Sequence, residues 1–149
     1  MTKLVIDASV VVKWVVPEIG SQDATQLLKA APLAAPDLLI AECANILWKK
    51  AQRKELTPEE ALMAARLLER ADIELCPTRH LLELATKIAI DLDHPAYDCI
   101  YLGLAHLNDW RFVTADERLL HKLAQPRSSA YSARAMSIVG AVQHYLDPA

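Results

Sequence analysis

Glycine is scarce in this chain: Gly20, Gly103 and Gly140 are the only three in 149 residues. A Walker-type phosphate loop and a G-x-G-x-x-G turn both need closely spaced glycines, so nucleotide binding through a glycine-rich cradle is excluded. Cysteine is equally sparse. Cys43, Cys76 and Cys99 form no C-x-x-C pair, and each lies in an apolar segment. That pattern excludes a disulfide framework, has no zinc-type spacing and implies a reducing, cytoplasmic setting. No uninterrupted apolar stretch approaches the ~18 residues of a membrane span, so neither export nor membrane anchoring is expected. Excess positive charge is missing too. A net charge of -3 and a pI near 5.9 argue against the broad basic face of a simple DNA-binding module and leave room for a local patch.

What the chain does have is apolar residues, 53% against 23% charged, as expected of one globular domain over 1–149. A core of this size buries roughly 68–70% of the unfolded chain's surface, so folding needs no disulfide or structural metal. Leu4-Val5-Ile6 reads as a strand that ends at Asp7, with Ser9 placed to cap a helix over Val10 to Val15. Ser21 precedes a helix over Ala24 to Ala30, and Leu33 to Pro36 reads as a minor strand or connector. A long helix is expected from Leu38 to Arg53. Thr57-Pro58-Glu59-Glu60 has capping-box spacing and starts a helix to Arg70. Strand Ile73 to Cys76 follows, then a helix capped by Thr78 and running to Leu92, and a helix from Tyr97 to Asn108. Strand Arg111 to Thr114, helix Glu117 to Leu123, a polar loop over Gln125 to Ser132, strand Ala135 to Val139 and a short helix to Tyr145 complete the chain. Strands alternating with helices imply an α/β fold with a parallel sheet covered on both faces.

Carboxylates belong on solvated faces, so an acid that is the only charge in an apolar run demands a reason. Asp7 is alone between Leu4 and Val12, Glu42 between Leu38 and Trp48, and Asp98 between Tyr97 and Leu107. Asp116 directly follows a strand. In an open parallel sheet, functional groups gather beyond the carboxyl ends of the strands, where all four acids can converge. Gathered there, they would raise one another's pKa unless a cation neutralised them, and an all-oxygen donor set favours Mg²⁺ or Mn²⁺ over zinc.

Plainer readings exist for each. Asp116 and Thr114 can cap a helix, Asp98 can serve a helix N-terminus, Asp7 can accept backbone bonds at a turn, and Glu42 can pair with a distant cation. His80, His94, His106, His121 and His144 show no ligand spacing and read as surface or core filler. Trp14, Trp48 and Trp110 read as core aromatics. Lys49, Lys50, Arg53 and Lys54 read first as a solvated helix end favoured by the helix dipole.

Four ordered fragments carry a family likeness: Ile6-Asp7-Ala8-Ser9-Val10 with Lys13-Trp14, Ala41-Glu42-Cys43-Ala44-Asn45, Pro95-Ala96-Tyr97-Asp98, and Val113-Thr114-Ala115-Asp116-Glu117-Arg118-Leu119. Over nearly its whole length the chain resembles the PIN-domain family, and within it the VapC-type ribonuclease toxins of toxin–antitoxin pairs. The resemblance implies a PIN-like three-layer α/β/α sandwich with about five parallel strands. It also implies a Mg²⁺- or Mn²⁺-dependent endoribonuclease, a cognate VapB-type antitoxin and a homodimer. It carries metal binding onto Asp7, Asp98, Glu42 and Asp116, hydroxyl support onto Ser9 and Thr114, and a polar role onto Asn45. Hydrolysis by a metal-activated water is expected, leaving 5′-phosphate and 3′-hydroxyl ends. Because the chain is net acidic, Lys13, Lys49, Lys50, Arg53 and Lys54 are the candidates for attracting RNA. Two other classes remain at this point. One is an aspartate phosphatase or phosphoacceptor domain, although Ser9 stands where the phosphatase pattern needs a second Asp. The other is a non-catalytic protein-binding module whose acids are structural.

Overall fold

A computed structural model describes residues 2–126 and 129–146, the side chain of Ser129 apart. Strand β1 spans Leu4–Ile6, β2 Leu33–Pro36, β3 Ile73–Cys76, β4 Arg111–Val113 and β5 Ala135–Met136. They form one parallel sheet in the order β3-β2-β1-β4-β5, so the chain reverses its direction of winding at β1. The helices are α1 Ala8–Val11, α2 Ser21–Gln26, α3 Leu38–Gln52, α4 Pro58–Glu69, α5 Leu82–Leu92, α6 Ala96–Asn108, α7 Glu117–Leu123, α8 Ser129–Ser132 and α9 Ile138–Tyr145. Sheet and helices build the expected α/β/α sandwich. No helix among the described residues is long and apolar enough to cross a membrane.

The core explains the order. All three residues of β1 have no exposed surface, as the central strand of a sheet covered on both faces requires. Burying side chains of this size contributes about 1.5–3 kcal/mol each. Helix α6 lies across β1, β2 and β4. Its Tyr101 ring stacks on Phe112 of β4 with centroids 5.6 Å apart. This packing aims the N-terminal turn of α6, which carries Asp98, toward the ends of β1 and β4.

Several local expectations are corrected. Ser9 does not cap α1; Asp7 does, accepting from Val10 N at 3.2 Å, because it is Asp7 whose backbone is still extended. Gly20 (φ +88) stands at the N-cap of α2, which starts at Ser21 rather than Ala24. Leu33–Pro36 is a full inner strand, since Ala34 and Ala35 are small enough to be wholly buried between β1 and β3. Thr78 makes no cap bond and instead donates to Asp37 Oδ1 at 3.1 Å. Within the stretch expected as a polar loop, Ser129–Ser132 is helical, and residues 127 and 128 lie outside the described ones. Strand β5 stops at Met136, because Ser137 caps α9 by accepting from Gly140 N. Trp48 is 57% exposed, off the buried stripe Leu39, Cys43 and Leu47 of its helix, so it is no core aromatic.

Candidate functional site

Asp7 follows β1 directly and is almost wholly buried, so its carboxylate has to be bonded within the protein. Its Oδ1 accepts from Ser9 Oγ at 2.5 Å and its Oδ2 from Thr114 Oγ1 at 2.5 Å. The two hydroxyls then pass the connection on. Ala115 N donates to Ser9 Oγ at 3.2 Å, and Asp116 N donates to Thr114 Oγ1 at 3.0 Å. The turn after β1 and the turn after β4 are thereby locked together, with Ser9 and Thr114 as the bridges. Even so, burial outweighs these bonds, and the nearby charge of Glu42 adds to it, so that the Asp7 carboxyl is pushed up to about 6.

Asp116 is the N-cap of α7, accepting from Arg118 N at 3.0 Å and Leu119 N at 3.2 Å through Oδ1. The capping role is therefore real, and it leaves Oδ2 facing the other acids. Asp98, in the first turn of α6, lies beside Asp116, with carboxylate oxygens within 4.8 Å of each other. Burial, the closeness of Asp116 and the charges of Asp7 and Glu42 push the Asp98 carboxyl up to about 8. Asp116 moves the other way. Its burial is outweighed by the neighbouring Asp98 carboxyl, by the α7 backbone and by His94, which keep it below the usual carboxylate range. Two carboxylates this close resist ionising together, which is why the two move in opposite directions.

Glu42 sits in the second turn of α3, and its Oε1 is buried with no hydrogen-bond partner. Burial raises its pKa, opposed by the Tyr101 hydroxyl, which lies close by without forming a bond of proper geometry. The plainer alternative, a salt bridge from Glu42 to a distant cation, is absent among the described residues. Asn45 is exposed further along α3 and makes no hydrogen bond among the described residues, so nothing ties it to the acids.

The site holds one residue that composition and spacing give no reason to select. His94 is not filler: its side chain is 4% exposed, with Nε2 2.7 Å from Asp98 Oδ2 and 3.7 Å from Asp116 Oδ2. Asp93, left-handed at φ +51, ends α5 and turns the chain so that His94 faces the acids. Lys122 of α7 donates to the Asp93 carbonyl and so ties down that turn. Burial and the charge of Lys122 lower the His94 pKa, Asp116 opposes them, and Arg118 adds to the lowering. One ligand-type atom each from His94, Asp98 and Asp116 fall within 4.8 Å of one another.

The basic candidates lie apart from this cluster and differ among themselves. Lys13 and Lys50 both pair with Glu18, at 3.3 and 3.0 Å, and Lys50 also pairs with Glu55. Lys49, Arg53 and Lys54 are exposed and form no ion pair among the described residues.

The segments that build this arrangement lie within a stretch of the chain that resembles known proteins. Residues 4–125 match the family described as PIN domain. The chain belongs to the PIN domain family. Ribonuclease VapC3 of Pyrobaculum aerophilum is 32% identical to this PIN-domain protein over 126 residues, spanning 80% of this chain and 94% of its own length. Ribonuclease VapC9 of Mycobacterium tuberculosis is 32% identical over 116 residues, spanning 78% of this chain and 87% of its own. The crystal structure of PAE2754 from Pyrobaculum aerophilum is similar in fold, with a TM-score of 0.65 at 23% identity, covering 81% of this chain and 79% of that one. The likeness to VapC-type PIN proteins, first visible in four fragments, thus extends over most of the chain.

Proposed function

We propose that this PIN-domain protein is a Mg²⁺- or Mn²⁺-dependent endoribonuclease, the toxin of a VapBC-type toxin–antitoxin pair. The observation that carries the reading is electrostatic: Asp7, Glu42 and Asp98 act on one another with raised pKa values beside Asp116, and Glu42 Oε1 is buried with no partner. That arrangement is costly unless a cation completes it, and its donor atoms are the hard oxygens that such an ion takes. Asp7, Glu42, Asp98 and Asp116 would hold the ion. When bound, it would neutralise the acids and supply an activated water for phosphodiester hydrolysis.

The chain's own residues do the positioning. Ser9 and Thr114 hold Asp7 by both oxygens, and the Thr114 hydroxyl also holds the backbone of Asp116. Two acids from different strands are therefore fixed before substrate arrives, which is the preorganisation that catalysis of this kind requires. RNA must still be drawn to a net-acidic protein. Lys49, Arg53 and Lys54 are assigned to that task, together with Arg118 and Lys122, whose charges reach the site through His94. Lys13 and Lys50, already engaged by Glu18, contribute less. The names of the relatives support a VapB-type antitoxin as partner and RNA as substrate, and a cytoplasmic homodimer is the assembly this reading adopts.

The test is cleavage of a mixed RNA pool by antitoxin-free protein with Mn²⁺ or Mg²⁺, followed by analysis of the ends. Cleavage with 5′-phosphate and 3′-hydroxyl ends, lost in Asp98→Asn, is expected. Ends bearing 2′,3′-cyclic phosphate would contradict the reading, because they arise from attack by the ribose hydroxyl.

A further inference from the structure

His94 has one ring nitrogen in the acid cluster and the other in the protein interior. Nε2 lies 2.7 Å from Asp98 Oδ2, while Nδ1 is buried and has no hydrogen-bond partner among the described residues. These two facts decide which nitrogen carries the proton of the neutral ring. A proton on Nδ1 would bury an N–H with no acceptor and, once Asp98 is ionised, press a bare Nε2 lone pair against a carboxylate oxygen. A proton on Nε2 bonds Asp98 and leaves only an unpartnered lone pair inside. The requirement is strictest when Asp98 holds an ion, since a coordinating carboxylate has no proton of its own to supply to a bond of this length.

We propose that His94 is a positioning residue that donates Nε2–H to Asp98 Oδ2 and fixes how Asp98 presents its remaining lone pairs to the divalent ion, without coordinating it. This rests on the metal-site reading above and adds a residue to it. The missing partner on Nδ1 supports the assignment independently. An imidazole that ligates through one nitrogen almost always donates its other N–H to a supporting acceptor, and no carbonyl or carboxylate among the described residues takes up Nδ1. The Asp98 oxygen that faces His94 also lies on the side of Asp116, whose Oδ2 is 3.7 Å from the same nitrogen.

The experiment is titration of Mn²⁺ into full-length protein, read by electron paramagnetic resonance, for wild type, His94→Ala and His94→Gln. Glutamine offers an amide N–H at a reach comparable to Nε2. We expect His94→Ala to weaken Mn²⁺ binding about 10–100-fold, the usual cost of losing an orienting partner, and His94→Gln to return to within roughly threefold of wild type. We also expect wild-type Mn²⁺ to show no spin-echo modulation from a coordinated nitrogen, a readout that needs no variant to fold. Coordinated nitrogen, or unchanged binding in His94→Ala, would overturn the positioning role while leaving the metal site intact. Equal weakening in both variants would also overturn it, because the donor would then not be what matters. A wild type that binds no Mn²⁺ would overturn this role and the ribonuclease reading together.

Discussion

Two clusters of charge in this protein solve opposite problems. Around Glu18, one acid meets two cations, Lys13 and Lys50, and the pairing more than offsets burial to lower its pKa. At the ends of β1 and β4, four acids meet one imidazole, and Asp7, Glu42 and Asp98 are all raised. Charge that only has to hold the fold is satisfied where it stands. Charge left unbalanced inside an otherwise well-packed domain is the kind of place where functional sites cluster.

The sharpest way to break the comparison is to remove one acid from each cluster. Asp98→Asn is expected to lower RNA cleavage by about 10³-fold or more, the several kcal/mol that a bound metal contributes, with the fold retained. Glu18→Gln is expected to leave cleavage within a few-fold of wild type. Comparable losses from both would erase the distinction.

Stability without metal separates the clusters next. The folded-state pKa values of Asp7 and Asp98, about 6 and about 8, lie above the ordinary 3.8. Folding therefore takes up protons, and the stability these groups contribute is full below about pH 4 and is lost as pH rises through 6 and 8. Asp116, held below the usual range, has the opposite sign and offsets part of this at the acid end. In chelator, the melting temperature should fall between pH 5 and 8 in wild type and fall less in Asp98→Asn. At pH 8 the variant should be more stable by an amount on the order of 1–3 kcal/mol, discounted for coupling to Asp116 and for the open edge of the site. Calorimetry across pH checks this.

The Glu18 cluster should respond with the reverse sign and a smaller size. Glu18→Gln leaves Lys13 and Lys50 half-paired and is expected to cost about 1 kcal/mol at low salt, shrinking as salt is added. Chemical denaturation at two ionic strengths measures it. The smallest effect concerns RNA attraction. Replacing Lys49, Arg53 and Lys54 by Ala should flatten the salt dependence of RNA binding by about one unit of slope for each phosphate that is no longer neutralised. An unchanged slope would move the patch elsewhere on the surface.

Much of this contrast is visible in the order of residues alone. Asp7, Glu42 and Asp98 stand out because each is the only charge in an apolar run, and burial in a sandwich core turns that pattern into convergence at one sheet edge. Asp116 is visible by its place after β4, and the structure shows it capping α7 through one oxygen with the other turned toward His94. His94 is hidden among five scattered histidines. Its distance of four residues from Asp98 resembles a helical pairing, but Pro95 interrupts the helix there. The contact depends instead on the left-handed turn at Asp93, which no side-chain pattern announces. The pairing of Lys13 and Lys50 through Glu18 is equally hidden, because it joins segments that only the packed fold brings together. Strand β2 is easily undervalued because two alanines and a proline carry little strand preference, while the sheet interior selects them for their small size.

The most direct test of the central claim is a Mn²⁺ titration of partner-free protein followed by melting temperature, for wild type and Asp98→Asn, since it needs no knowledge of the substrate. The account predicts saturable stabilisation of wild type, and a variant that melts higher than wild type in chelator yet does not respond to the ion. A wild type indifferent to Mn²⁺, with a variant that melts lower, would mean that the four acids hold the fold and do not form a metal site.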